Sequence, residues 1–345
     1  MQTDFRKKAL FIQIARYIPE PMTKTFLITL IASLVLPILN LSAQVDKAAV
    51  DLFVNEFATK HEKNPAEVKA ILDKAAFQDE IIKKISRPAE GTMTWGRYRK
   101  IFMTQERIDA GVKFWKEHEA TLAKVSQDSG VPEEVILGII GVETYFGKIK
   151  GSYKVLDALY TLAFGYPKRS KFFKAELAHY LELAEDQELN INEVKGSYAG
   201  AMGYSQFMPS SYKAYAKSFE PGGTSDLINS PEDAIASVAN YLKVHRWKRG
   251  QPVTSRAEMT RKITGLRKQH LKPKNKVADY TAIGFKPAQS LKSDLPATMI
   301  ILEGEKGTEH WFGMYNFYVI TRYNRSKLYA MAVAQLAQAI KAERG

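Results

Sequence analysis

VPEEVILGIIGVETYFG, residues 131–147, is the stretch on which the reading of this chain turns. Pro132 suits a first helical turn, Glu133 and Glu134 favour the positive end of a helix dipole, and Gly147 supplies a stop, so the stretch predicts a helix. Ile136, Ile139, Ile140 and Glu143 fall at i, i+3, i+4 and i+7 and share one face. A carboxyl group set into an apolar stripe is expected to shift toward its protonated form, because burial penalises the charge. Two readings are open here: a structural acid tied to an arginine or a backbone amide, or a general acid able to protonate a leaving oxygen.

The 345 residues, 45% of them apolar, suffice for one large or two moderate domains around a sizeable core. A formal charge of +13 points either to an anionic partner or to a generally basic surface. Cysteine is absent, which removes disulfides, zinc thiolates and a thiol nucleophile together. The six histidines show neither HExxH nor paired ligand spacing, and no phosphate-binding glycine motif occurs. Any chemistry must come from carboxylates, hydroxyls, amides and aromatics; no metal or cofactor is expected.

Near the N-terminus, Lys24 precedes the apolar run FLITLIASLVLPIL of residues 26–39, and Leu41-Ser42-Ala43 ends in small residues before Gln44. This is the pattern of a cleavable export signal, with cleavage after Ala43 and Met22 as an alternative start. An uncleaved anchor is the competing reading, although Pro37 and the short run make a poor spanning helix. An exported, cysteine-free, basic chain suits a bacterial periplasm.

Beyond Gln44 helical patterns dominate. Asp46 opens a helix with Val50, Phe53, Val54 and Phe57 on its apolar face, and Asn64-Pro65 pairs an N-cap with proline at the first position. Residues 105–126 read as one helix, as do 156–163 and 171–184, and Ser230-Pro231-Glu232-Asp233 is a helix start. Residues 195–215, KGSYAGAMGYSQFMPSSYKAY, combine glycines with Tyr198, Tyr204 and Phe207 and with the polar Ser197 and Gln206. That mixture fits either a sugar-binding groove or a tightly packed loop. Residues 249–295 are lysine-rich and aperiodic, while 297–303 and 316–323 read as two short strands before a helix over 326–342.

Three stretches, GVPEEVILGIIGVETYFGK, GSYAGAMGYSQFMPSSY and NFYVITRYNRSKLYAMAV, together resemble the membrane-bound lytic murein transglycosylase B family across nearly all of the chain beyond the signal. The resemblance implies a mainly α fold: a lysozyme-like core within a larger helical domain, a small mixed α/β insertion and a short β-hairpin near the C-terminus. The expected division is 1–43 as extension and signal, 44–130 as the first helical part, 131–248 as the catalytic core, 249–295 as the insertion and 296–345 as the closing hairpin and helix. The implied activity is cleavage of the β-1,4 bond between N-acetylmuramic acid and N-acetylglucosamine of peptidoglycan with formation of a 1,6-anhydro ring. The alternatives are lysozyme-type hydrolysis and a non-catalytic wall-binding scaffold.

By that resemblance Glu143 is the single acid and base. Ser197 and Gln206 match polar groups that hold the substrate and help orient Glu143, and Tyr98, Tyr241, Tyr323, Asn324 and Tyr329 match positions around the groove. Lys168-Arg169 stands where the family tends to have two arginines, and Lys168 lacks the bidentate fork for a peptide carboxylate. Some members carry a calcium loop before the helix at Ser230, but EPGGTSDLINS, residues 220–230, has few acids at ligand spacing. The expected partners are glycan strands and other wall enzymes, with no nucleic acid, no permanent anchor and a monomeric chain in the periplasm.

Overall fold

The computed structural model describes residues 45–345 except 88, 264–265 and 267–269; the expected export signal and its cleavage site lie outside the described residues. In chain order the helices are α1 (Lys47–His61), α2 (Pro65–Leu72), α3 (Asp79–Ile85), α4 (Ala89–Thr92), α5 (Trp95–Phe102), α6 (Gln105–Glu117), α7 (Glu119–Ser129) and α8 (Glu133–Thr144). After them come α9 (Val155–Gly165), α10 (Ser170–Asp186), α11 (Pro209–Tyr215), α12 (Pro231–Val244), α13 (Val277–Ala282), α14 (Tyr315–Tyr323) and α15 (Lys327–Arg344). The strands are β1 (Tyr153–Lys154), β2 (Lys195–Gly196), β3 (Thr254–Met259), β4 (Asn275–Lys276), β5 (Phe285–Pro287), β6 (Pro296–Gly304) and β7 (Gly307–Met314).

Side-chain oxygens at the expected starts satisfy the free amides of the first turns. Asp46 accepts from Ala48 N at 3.0 Å, Asn64 from Ala66 N at 2.9 Å and Ser230 from Asp233 N at 3.1 Å. The helix read over 105–126 is instead two, α6 and α7, broken at His118, where φ is −118° and ψ 28°. His118 Nδ1 lies 2.8 Å from Glu232 Oε1, so a contact to the start of α12 holds the break.

Helix α8 lies at the centre, packed against α6, α7, α12 and α15. Every residue from Val135 to Val142 is buried, so the expected apolar stripe is an apolar cylinder, and half-buried Glu143 is a polar group at its end. Helix α15 runs antiparallel to α8: Glu134 pairs with Lys341 at one end, and Glu143 meets Tyr329 at the other. Between them, a Cβ on Gly138 would stand 2.6 Å from the Val333 carbonyl oxygen, which is why the backbones can approach only through glycine.

A second layer is an antiparallel sheet in the order β4-β6-β7-β3-β5. Its strands come from both 249–295 and 296–345, so the C-terminal hairpin and the insertion share one sheet instead of forming separate pieces. Along β6 the faces alternate: Ala297 and Met299 join a small core with Val277, Phe285 and Phe312, whereas Ile300 and Leu302 join the main core. The strand expected over 316–323 is helix α14, and the true partner of β6 is β7, which precedes it. The aromatic and β-branched residues of 316–323 suit a strand locally, but Asn316, Phe317, Val319, Ile320 and Thr321 are buried with helical spacing. Asn316 fixes that helix by accepting from Lys248 N at 2.8 Å and donating to the carbonyls of Lys248 and Gln251.

Because the α8–α15 crossing has no room for a methyl group, Gly138→Ala is expected to lower stability by about 2 kcal/mol. Urea unfolding followed by circular dichroism measures this; a loss within experimental error would show that the two helices are not in such close contact.

Candidate active site

Glu143 stands one residue before the end of α8, and the chain after it leaves the helix abruptly. Tyr145, Phe146 and Gly147 have φ of 53°, 57° and 85°, three consecutive residues in the left-handed region, two of them carrying side chains. Thr144 holds this turn: its Oγ1 accepts from Gly147 N at 3.0 Å and lies 3.2 Å from the carbonyls of both Ile140 and Tyr204. At Gly147 a Cβ would fall 2.0 Å from the Tyr204 ring, so the turn and the Tyr204 loop close on each other only with glycine there. Arg107 supports the helix end from below. Its Nη1 donates to the Gly141 carbonyl at 2.6 Å, and its guanidinium lies over the rings of Tyr145 and Phe102, 4.4 and 5.2 Å from their centroids. A cation at a helix C-terminus suits the dipole, although burial lowers the pKa of this guanidinium.

The glycine-rich segment forms the next wall. Ser197 closes a turn, its Oγ accepting from Ala199 N at 3.2 Å and Ala201 N at 3.1 Å. Gln206, itself at φ 48°, donates from Nε2 to the carbonyls of Lys150 at 3.0 Å and Gly203 at 2.9 Å. One amide thus ties the segment following Glu143 to the glycine-rich segment. Strands β1 and β2 reinforce the tie through Tyr153↔Gly196 and Lys154↔Lys195.

Aromatic residues form the third wall. Tyr241 and Tyr323 have ring centroids 4.8 Å apart, and Phe207 lies 5.7 and 5.6 Å from them. Their hydroxyls are spent on backbone: Tyr241 donates to the Arg322 carbonyl at 2.5 Å and Tyr323 to that of Ser205. Tyr329 differs, since its hydroxyl donates to Glu143 Oε1 at 2.5 Å. The first turn of α15 delivers it, with Ser326 Oγ accepting from Tyr329 N at 3.2 Å. Burial foremost, then the charge of Glu143, raises the Tyr329 hydroxyl well above its usual range, so it remains a proton donor through neutral and mildly alkaline pH. Tyr98 belongs to the same cluster; it is buried, and it contributes to the field that raises Tyr329.

The residues singled out from sequence therefore fall into three groups. Glu143, Tyr329, Tyr323, Tyr241 and Tyr98 are brought together, and Asn324 caps α14 between Tyr323 and Tyr329. Ser197 and Gln206 sit on the wall that joins this cluster through the Tyr204 and Ser205 carbonyls. Lys168 and Arg169 stand on an exposed 3-10 turn between α9 and α10, with the Arg169 guanidinium 4.1 Å from the centroid of the Phe172 ring. Sequence reasoning missed Arg107 and Thr144. Thr144 adjoins Glu143 and could have been suspected; nothing in the pattern around Arg107 announces a partner 34 positions away.

Among the described residues no group of three or more His, Asp and Glu could hold a metal ion. Beside the 220–230 loop, Asp233 in the first turn of α12 accepts from Phe219 N at 2.8 Å and Asp226 N at 2.7 Å, and Asp226 accepts from Ile228 N and Asn229 N, each at 2.9 Å. Backbone amides thus occupy these carboxylates.

A family model described as a transglycosylase SLT domain matches residues 46–338. The chain is 41% identical to the membrane-bound lytic murein transglycosylase B of Escherichia coli over 297 residues, 84% of this chain and 81% of that protein. The solved structure of catenated lytic transglycosylase SltB1 from Pseudomonas aeruginosa aligns with a TM-score of 0.80 at 42% identity, over 87% of this chain and 99% of that one. A more distant structure, SltB3 from Pseudomonas aeruginosa in complex with NAG-NAM-pentapeptide, aligns with a TM-score of 0.71 at 25% identity, over 84% and 78%.

A hydrogen bond to a carboxylate contributes about 1.5–3 kcal/mol, so Tyr329→Phe is expected to lower kcat by roughly 10- to 100-fold with KM nearly unchanged. Steady-state turnover on purified cell walls, with circular dichroism to verify folding, measures it. A kcat within twofold of the parent would show that this contact does not orient Glu143.

Proposed function

This chain belongs to the transglycosylase SLT domain family, and on that premise we propose that it is a lytic transglycosylase in which Glu143 serves in turn as acid and base on peptidoglycan. Its fold accords with this, a mainly α architecture with a lysozyme-like core and a small sheet. The observation that carries the reading is the Tyr329 hydroxyl donating to Oε1 of a half-buried carboxyl group at the end of an otherwise apolar helix.

In the first step the Glu143 carboxyl group protonates the oxygen of the β-1,4 bond between N-acetylmuramic acid and N-acetylglucosamine, and the C1–O bond breaks. The resulting carboxylate then takes the proton from the C6 hydroxyl of the muramoyl residue while that oxygen bonds to C1, closing the 1,6-anhydro ring. Glu143 ends with the proton it began with, and no water is consumed. Tyr329 donates to Oε1, and a neutral donor there favours the carboxylate needed in the second step. A retaining glycosidase would need a second carboxylate about 5 Å away as nucleophile. The glycine-rich wall, residues 196–211, supplies no acid, so the substrate's own N-acetyl group is the candidate for that role.

Gln206 and Ser197 support the reaction by fixing the loop that faces Glu143, and the half-buried ring of Tyr323, backed by the buried Tyr241, offers a flat surface for sugar. Tyr98 and Tyr329, almost fully buried, act from beneath the carboxyl group. Asn324 sets the junction between α14 and α15, and Lys168 and Arg169 are the candidates for stem-peptide carboxylates. The partner is a glycan strand, in keeping with the muropeptide bound by the SltB3 relative. Among the described residues no helix is long and apolar enough to cross a membrane. Export through residues 26–43 would deliver a monomer to the periplasm.

The test is mass spectrometry of the products formed by residues 44–345 from peptidoglycan in water enriched in heavy oxygen, with Glu143→Gln as control. Unlabelled anhydro products from the parent alone are expected. Labelled reducing ends would make the protein a hydrolase, and no soluble product from either would make it a wall-binding scaffold.

A further inference from the structure

A cleft of about 650 Å³, whose lining does not include Glu143, lies between α5, the C-terminal half of α15 and the β6–β7 hairpin. Its contents are ordered by direct contacts. Trp311 Nε1 donates to Glu309 at 2.9 Å, Arg256 bonds to the same carboxylate oxygen at 2.7 Å, and the Arg256 guanidinium lies 5.0 Å from the centroid of the Trp311 ring. Arg99 Nε donates to Gln335 Oε1 at 2.7 Å, and both side chains line the cleft. The hairpin tip closes one end, where Gly96 packs so tightly on Glu305 that a Cβ would stand 2.8 Å from its backbone nitrogen.

The charge balance of this cleft is uneven. Both of its carboxylates are engaged, Glu309 by Arg256 and Glu305 by Lys100 at 3.2 Å. Arg99 and Lys306, in contrast, form no ion pair among the described residues. A pocket of this size with a fixed aromatic plane, amide donors and two uncompensated cations is built for an anionic ligand that carries amide groups. A glycan of N-acetylglucosamine alone has no carboxylate to meet Arg99, and a muramoyl residue stripped of peptide has a single lactyl carboxylate with no amide chain beyond it; the peptide stem of peptidoglycan has several carboxylates, joined by amides.

We propose that this cleft is a second substrate site, which binds the carboxylate-bearing stem peptide of peptidoglycan through Arg99, Lys306, Trp311 and the amides of Gln335 and Gln338. The proposal rests on peptidoglycan being the substrate. Helix α5 then serves both sites, with Tyr98 beside Tyr329 and Arg99 in the cleft.

Trp311 is half-buried in the cleft while Trp95, Trp115 and Trp247 are buried elsewhere, so the part of the indole emission change that is lost in Trp311→Phe reports on the cleft. The catalytically blocked Glu143→Gln protein is titrated with a synthetic stem tetrapeptide, with the same peptide amidated at its carboxylates, and with chitotetraose. The tetrapeptide is expected to change the emission saturably, and amidation or the double change Arg99→Gln with Lys306→Gln to weaken binding roughly ten-fold. Absence of a saturable change, equal affinity in the double variant, or an equal response to chitotetraose would overturn the proposal. With Glu143 restored, the double variant is expected to keep its kcat on glycan strands stripped of peptide and to show a raised KM on intact walls; equal losses on both would likewise overturn it. If the parent formed no anhydro products the catalytic reading would fail, while the peptide titration would still report on the cleft.

Discussion

The antiparallel contact between α8 and α15 is the constraint on which the rest depends. It joins segments about 190 residues apart in sequence, and it brings the end of one helix to the beginning of the other. That geometry places Tyr329, in the first turn of α15, opposite Glu143, in the last turn of α8. Gly138 sets how closely the two backbones lie, and Lys341 with Glu134 marks the far end. Since α8 is buried around nearly its whole circumference, it cannot rotate to present Glu143 elsewhere without exposing isoleucines to water. Apolar burial fixes the helix, and the fixed helix fixes the acid.

Around that rigid pair the flexible chemistry is confined to loops held by side-chain hydrogen bonds. Three successive left-handed residues after Thr144 cost conformational energy, and the surroundings hold them: Thr144 from within the turn, Arg107 from below and the Tyr204 ring against Gly147. The glycine-rich wall is tied back through Gln206 in the same way. Strain concentrated beside Glu143 keeps the carboxyl group at the surface of a site whose floor is otherwise closed.

The sheet serves both of its faces. Alternation along β6 sends Ile300 and Leu302 toward the helical core and Ala297 and Met299 toward the small core under β3 and β5. The β6–β7 hairpin therefore anchors the smaller lobe while reaching α5, and α5 in turn borders both the Glu143 cluster and the cleft around Trp311. Two binding surfaces share one short helix for this topological reason.

Local pattern alone determined much of the helical part. Asp46, Asn64 and Ser230 begin helices because each offers an oxygen to amides two or three residues on, and Glu133–Thr144 form a helix where paired acids at its start lead into an apolar run. Glu143 was legible for the same reason, as a charge among isoleucines. Tertiary structure decided the rest. Residues 316–323 carry strand-like side chains, yet form α14 because Asn316 is held by Lys248 and Gln251 and the buried residues fit a helix. The break at His118 depends on Glu232, and the value of Arg107 depends on Gly141 and Tyr145. Tyrosines 241, 323 and 329 look alike in sequence, but two donate to backbone carbonyls and one to Glu143. Caps and periodicity act over a few residues and can be read along the chain. The partner that a hydroxyl finds across nearly two hundred residues is set by how the helices pack.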